Sequence, residues 1–317
     1  MANRTSKLGS GSLLQGKKAV YQICGLFSKN NQHVWPAFAM QSRQPVVIKQ
    51  ALPGQLQNEI EALRLCQGSP YVRQLIDTTE SPPTMVLEHL DTSLFSASRH
   101  CQLDKTDLKQ AIKASLHGLS LLHGFGRIHS DIKPDNILAN RGAEGSSRFK
   151  DIKLCDLGDS IIQDASRGPQ RFVTGTAVYR APEVILQAPP TTSLDIWALG
   201  ATALYFLVGD HLFAPKPHSR DDKMVNRKVL QCQMQCFGPF PDQFVDILPA
   251  ESQAELQELY NSREFYPNRW PDALASVLDP EDEDFIRMLL KPDPRDRPAA
   301  AEALQHTWLT VLPFIYA

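Results

Sequence analysis

The sequence has no excess of charge of either sign: 33 Lys and Arg stand against 35 Asp and Glu, a formal net charge of −2. Nothing in that balance points to direct contact with nucleic acid or with an anionic membrane surface. It also lacks a long apolar run. The longest, IWALGATALYFLVG over 196–209, falls short of the roughly 20 residues a bilayer span requires. It reads instead as a helix buried on all sides, with Thr191, Thr192 and Ser193 as capping side chains before Asp195, and Gly209 to end it. The six cysteines, Cys24, Cys66, Cys101, Cys155, Cys232 and Cys236, lack paired spacing, which argues against a disulfide framework and fits reduced thiols inside a cell, in cytoplasm or nucleus. Cys232 and Cys236 can lie one helical turn apart, but no nearby His or Cys pair completes a four-ligand metal site. No internal repeat is visible. The opening MANRTSKLGSGS lacks an apolar h-region, so no signal peptide is expected and residues 1–19 read as a flexible tail, with Gly9-Ser10-Gly11 as linker.

What is present is a chain of 317 residues, 42% hydrophobic and 21% charged, long enough for one large or two modest cores. The first ninety residues hold short segments rich in β-branched and aromatic residues (VYQICGLF, HVWPAFAM, PVVIKQ, VRQLID, TMVLEHL) between polar or Pro-containing turns, the pattern of an antiparallel sheet. One helix interrupts them, with Leu56, Ile60 and Leu63 forming a stripe. After residue 100 the pattern turns helical, as in Leu108, Ile112, Leu116, Leu119 and Leu122 on one face. The spacing predicts an α+β protein of two lobes: a small β-rich one over 20–90 and a larger helical one over 91–311.

The stretch RIHSDIKPDNIL, 127–138, sets His129, Asp131, Lys133 and Asn136 on one short polar loop after a long helix. An aspartate followed at this distance by an asparagine suits phosphoryl transfer, one group orienting the acceptor hydroxyl and the other holding a metal. Asp156-Leu157-Gly158 follows the apolar run DIKLC, where a carboxylate at a strand end suits a magnesium ion bridging phosphates. Lys49 in VVIK and Glu59 on the following helix can pair and grip the α and β phosphates. Ala181-Pro182-Glu183 and Asp195 complete six elements in one order, and it is the order that carries the signal.

With VVIK, HSDIKPDN, DLG, APE, DIWALG and Arg297 of RDRP, the chain resembles a eukaryotic protein kinase over residues 20–311. Within the family it is most similar to the SR-protein kinases of the CMGC group and their compact fungal relatives, through Ser130, the hinge VLEHLDTSLF and the segment VGDHLF. The resemblance implies the two-lobed kinase fold, ATP and Mg2+ as cofactors, a monomer, and a protein substrate phosphorylated on Ser or Thr, with Arg/Ser-rich sequences in view. By the same resemblance Asp131 orients the acceptor, Lys133 neutralises the transferring phosphoryl group, and Asn136 and Asp156 hold magnesium. Lys49, with Glu59, meets the phosphates, and Thr176 marks the Ser/Thr-directed branch. Leu87 is the gatekeeper, Glu88 and Leu90 offer backbone groups to adenine, and Val34, Val47 and Leu138 belong to the nucleotide pocket. His129 is expected to support the loop, the alternative being a proton carrier.

One absence cuts against activity. Where the family carries a glycine-rich phosphate loop this chain has FSKNNQH, over 27–33, with only Gly25 nearby. A nucleotide-binding scaffold without turnover is therefore the alternative reading, and a small-molecule phosphotransferase a second. Ser130, small and uncharged where most of the family has arginine, implies a stretch from Asp156 to Glu183 that orders without phosphorylation. Thr174 and Thr176 stand as possible phosphosites, Thr176 better explained as a hydroxyl bonding near Asp131 and Lys133. The acidic residues Asp242, Asp246, Glu251, Glu255 and Glu258 read as a solvated face or as a docking run for Arg-rich substrates.

Overall fold

The computed structural model describes residues 8–27, 33–143, 147–163, 173–215, 222–262, 274 and 278–310. The alternating segments of the first ninety residues form one six-stranded antiparallel sheet from β1 (Leu13–Gln15), β2 (Val20–Ile23), β3 (Val34–Ala39), β4 (Pro45–Lys49), β5 (Leu75–Glu80) and β6 (Pro83–Glu88), in the order β1-β2-β3-β4-β6-β5. Strand periodicity sorts its two faces. Tyr21, Trp35, Val46, Ile48 and Val86 pack together on one side. Val47, Met85 and Leu87 turn to the other and meet Leu56, Ile60 and Leu63 of α1 (Pro53–Leu65). Burial of each such aliphatic side chain contributes about 1.5–3 kcal/mol. β1 lies inside the stretch 1–19 expected as a tail: it pairs with β2, and Leu14 is 2% exposed. Asp77 anchors the turn beyond it by accepting from the Lys17 and Lys18 N–H groups and the Tyr21 hydroxyl.

The larger lobe is built on α3 (Lys105–Gly124), which follows β7 (Thr92–Ser93) and α2 (Leu94–His100). Asp104 caps α3 by accepting from the Asp107 N–H, and Leu108, Ile112, Leu116, Leu119 and Leu122 face the core. Next come β8 (Arg127–Ile128), β9 (Ile137–Arg141), β10 (Phe149–Leu154), β11 (Ile161–Ile162) and α4 (Pro182–Ile185). β7, β9 and β10 form a small sheet, and β8 pairs with β11. The apolar run becomes α5 (Ser193–Val208), followed by α6 (Asp222–Phe237), α7 (Ala250–Asn261) and α8 (Pro280–Leu289). α5 is buried along nearly its whole length and ends at Gly209, φ 78°, a left-handed cap that glycine adopts without strain. No side chain caps its start at Thr192, contrary to expectation; Asp195, in the first turn, is committed to the loop beyond β8 instead. Arg297 and Glu183 form a buried two-pronged pair at 2.6 and 2.8 Å.

The lobes join where Leu154 and Tyr71–Arg73 exchange backbone hydrogen bonds, each 2.9 Å, just before the DLG triplet. The architecture is the expected two-lobed α+β arrangement. Cys232 and Cys236 both lie on α6, and among the described residues no three His, Cys, Asp or Glu side chains group as a metal site. No helix of the described residues is long and apolar enough to cross a membrane.

Candidate active site

β8 delivers the chain into the HSD loop, and the buried carboxylate of Asp195 sets that loop's shape. Its two oxygens accept the His129 and Ser130 N–H groups, both at 2.8 Å, and Oδ2 also meets His123 Nε2 at 2.9 Å. Thus held, Ser130 adopts φ 71°, a left-handed conformation rare for a residue with a Cβ. His129 is spent on support: Nδ1 accepts the Asp131 N–H at 3.3 Å, which leaves Nε2 to donate to the Cys155 carbonyl at 3.0 Å. With both nitrogens engaged, this buried imidazole has the supporting rather than the proton-carrying geometry.

The loop presents Asp131 to a closed set of donors. Oδ2 accepts from Lys133 Nζ at 2.6 Å and Asn136 Nδ2 at 3.0 Å, while Oδ1 accepts the Thr176 N–H and hydroxyl, both at 2.9 Å. Lys133 Nζ also donates to the Thr176 hydroxyl at 2.9 Å. Gly175, φ 74°, allows this approach: a Cβ there would lie 2.5 Å from the Ser130 carbonyl oxygen. A carboxylate so restrained is fixed in direction, as a group that orients an acceptor hydroxyl must be.

The second cluster is assembled from three elements. Lys49 Nζ, at the end of β4, lies 2.7 Å from Glu59 Oε2 on α1 and 2.6 Å from Asp156 Oδ1 beyond β10. Burial alone pulls the Lys49 ammonium down, but the two carboxylates override it and hold the pKa above the ordinary lysine range. Burial pushes the Glu59 carboxyl up, with Lys49 opposing. Asp156 resists its own burial because Lys49 holds it below the usual carboxylate range. Its side chain is 48% exposed, and its φ of 65° turns it out of the strand direction. The Cys155 N–H donates to the Asn136 carbonyl at 3.0 Å, tying the two loops together. Burial lifts the Cys155 thiol to about 12, which keeps it inert at neutral pH.

These residues fit a divalent cation with phosphates. Asp156 has oxygen open to solvent, and the Asn136 Oδ1 accepts no hydrogen bond among the described residues because Nδ2 alone is engaged, with Asp131. Two protein oxygens leave most of the coordination to phosphate and water, as magnesium prefers.

Of the expected base-pocket residues, Val34, Val47 and Leu87 belong to the cluster under α1, Leu90 is 7% exposed, and Leu138 on β9 is half-buried opposite Ser93 and Lys153. Leu90 has backbone N–H and C=O groups with no partner among the described residues, as a base-binding position needs. Glu88 differs from expectation. Its N–H is donated to the Gln74 carbonyl at 3.0 Å, and its own carbonyl accepts from Arg73 Nε at 2.8 Å, so one carbonyl lone pair remains for a ligand. Residues 28–32 of the FSKNNQH segment lie outside the described residues.

Several contributors escape sequence reading. Lys153 grips the Glu88 carboxylate at 2.7 and 2.9 Å, and Arg73, its pKa lowered by burial, sits behind the hinge. Asn58, Arg127 and Ser160 tie α1 to the DLG segment. Asp195 is one of the six ordered elements, but its role in holding the His129 and Ser130 N–H groups is not among the expectations, although a lone carboxylate at the head of an apolar run requires partners once buried. Of the acidic run, Asp242, Asp246, Glu251 and Glu258 are exposed and Glu255 is half-buried.

A fixed carboxylate beside an ammonium, together with a Lys-Glu-Asp chain, is the set of parts that phosphoryl transfer calls for. The chain belongs to the protein kinase domain family, which matches residues 5–309, including most of the stretch expected as a tail. It is 32% identical over 231 residues to the mitogen-activated protein kinase hog1 of Neosartorya fischeri, covering 71% of this chain and 56% of that protein. Identity is 31% to the mitogen-activated protein kinase sakA of Aspergillus fumigatus, with the same coverage. It is also 31% to the mitogen-activated protein kinase HOG1 of Exserohilum turcicum, covering 71% of this chain and 62% of that one. The chain thus spans little more than half the length of these curated relatives. All three are named as mitogen-activated protein kinases, and none as an SR-protein kinase.

Proposed function

We propose that this chain is an ATP-dependent protein kinase that transfers the γ-phosphoryl group to Ser or Thr hydroxyls of protein substrates. The observation that carries the reading is Asp131, aimed by four donors while Lys49, Glu59 and Asp156 are already joined across the lobe seam. In this reading Asp131 orients the acceptor hydroxyl and takes up its proton late in transfer. Lys133, between Asp131 and Thr176, offsets charge on the moving phosphoryl group. Lys49 grips the α and β phosphates, and Glu59 keeps that ammonium in place. Asn136 and Asp156 would hold magnesium, which supplies charge compensation at the phosphate oxygens. Leu90, below the gatekeeper Leu87, offers its free backbone groups to adenine.

Substrate choice is a finer question. The exposed acidic residues from Asp242 to Glu258 are compatible with Arg-rich peptides, although such faces are more often simply solvated. The test is transfer of labelled phosphate from ATP, with magnesium, to three peptides: Arg/Ser repeats, a basic single-Ser peptide and an acidic Ser peptide. Transfer to any of them, abolished in Asp131→Asn, supports the kinase reading. Selective use of the Arg/Ser repeats supports the finer one, and equal rates remove it. No transfer to any peptide contradicts the kinase reading and favours a scaffold.

A further inference from the structure

α1 carries Glu59 to Lys49, yet a set of polar groups that the phosphoryl-transfer chemistry does not use holds this helix from behind. Asn58, next to Glu59, donates through Nδ2 to the carbonyls of Gly158 at 2.9 Å and Ser160 at 2.8 Å, with Ser160 Oγ at 3.2 Å. Its Oδ1 accepts from Arg127 Nη1 at 2.7 Å. Arg127, on β8, is 4% exposed; Nη1 also reaches Ser160 Oγ at 3.3 Å, and Nη2 lies 3.5 Å from Glu61 Oε2, itself half exposed. Around this core, Gln55 Nε2 donates to Asp159 Oδ1 at 2.8 Å, and the Ser130 hydroxyl donates to the Asp159 carbonyl at 2.7 Å while accepting from the Thr174 hydroxyl at 3.1 Å. Pairing of Ile162 with Arg127 and Ile161 with Ile128 closes the ring.

We propose that Asn58, Arg127 and Ser160 are positioning residues: a buried polar clasp that joins α1, the strand before the HSD loop and the residues after the DLG triplet into one unit. The clasp keeps Glu59 on Lys49 and Asp156 beside both. This inference rests on the kinase reading of the same site. Its physical basis is the cost of opening. Arg127 is a buried guanidinium whose one carboxylate partner among the described residues, Glu61 at 3.5 Å, is half exposed and also lies on α1, so the neutral oxygens of Asn58 and Ser160 satisfy its inner donors. If α1 swings outward, the cation loses Asn58, and the Gly158 and Ser160 carbonyls lose their donor. An unsatisfied buried charge is among the most destabilising defects a fold can carry, so the outward arrangement is disfavoured. Only a side-chain amide donates to two carbonyls and accepts from a guanidinium at once. Aspartate lacks the donors, and alanine lacks both.

The experiment uses the full chain and the variants Asn58→Ala, Arg127→Leu and the double. Alanine favours a helix, so Asn58→Ala keeps α1 as a helix while removing the clasp. Asn58→Ala should lower kcat with peptide at least about tenfold, equivalent to about 1.4 kcal/mol in the barrier. The peptide KM should stay unchanged, and amide hydrogen exchange across 55–63 should quicken. The double should lose no more than the worse single, because both break one unit. Parental kcat in Asn58→Ala overturns the proposal, as do losses that multiply in the double or a kcat loss without faster exchange in α1. Should Arg127→Leu fail to fold, Asn58→Ala decides alone. If the parent protein transfers no phosphate to any peptide, the kinase reading fails. Exchange in α1 then decides for the clasp when faster in Asn58→Ala and against it when unchanged.

Discussion

The two halves of the candidate site are built in opposite ways. On the acceptor side, Asp131, Lys133 and Asn136 sit within one loop, and only Thr176 arrives from elsewhere. On the nucleotide side, Lys49, Glu59 and Asp156 come from a strand, a helix and a loop of two different lobes. The first cluster can form wherever its loop folds correctly. The second exists only while α1 is docked and the lobes hold their relation. Local clusters tolerate little change in their members, whereas assembled ones are sensitive to residues that touch no substrate.

The largest expected effect breaks the acceptor side alone. Asp131→Asn should lower turnover by about 10³-fold, in the range for losing a positioned proton acceptor, with thermal stability near the parent's. Steady-state rates beside a melting curve check it, and near-parental turnover would remove Asp131 from its role. Next is Lys49→Met on the assembled side. Loss of the ammonium should cost about 10²-fold in kcat/KM for ATP and leave Glu59 and Asp156 without their shared cation. A loss seen only in the peptide KM would contradict the comparison.

Much of this division was legible in the sequence. HSDIKPDN could be read because its chemistry is local, and the two-lobed plan because strand and helix periodicities separate near residue 90. Lys49, Glu59 and Asp156 were reachable only through their order along the chain. Arg73 and Arg127 were not legible: each is a single arginine beside apolar residues, and nothing in VRQLID or RIHSD says that its guanidinium turns inward to Glu88 or Asn58. The Arg73 bond to the Glu88 carbonyl was not legible for the same reason, since that partner lies outside the strand pattern of Glu88.

A smaller effect sharpens the comparison from the regulatory side. Ser130 bonds Asp159 and Thr174 through its hydroxyl and presents no charge to be neutralised. We therefore expect phosphatase-treated protein to keep its activity to within about tenfold, or about 1.4 kcal/mol in the barrier. A larger loss, restored by an upstream kinase, would assign that role to phosphorylation. The smallest effect lies behind the seam, where His117 stacks on Tyr71 with ring centroids 4.5 Å apart. Burial, with Lys113 nearby, holds its pKa below 6.5. A His pKa depressed by folding contributes stability that is present above pH 6.5 and is lost as pH falls through the folded value. Melting temperature should thus decline slightly more from pH 7 to pH 5 in the parent than in His117→Phe, and identical declines would exclude the assignment.

The most direct test of the two-sided site is ATP binding by calorimetry, with and without magnesium, in the parent, Asp131→Asn and Asp156→Asn. The account predicts that magnesium tightens ATP binding equally in the parent and Asp131→Asn, although the latter no longer turns over, and that Asp156→Asn loses the magnesium effect. Equal tightening in Asp156→Asn, or loss of ATP binding in Asp131→Asn, would contradict it.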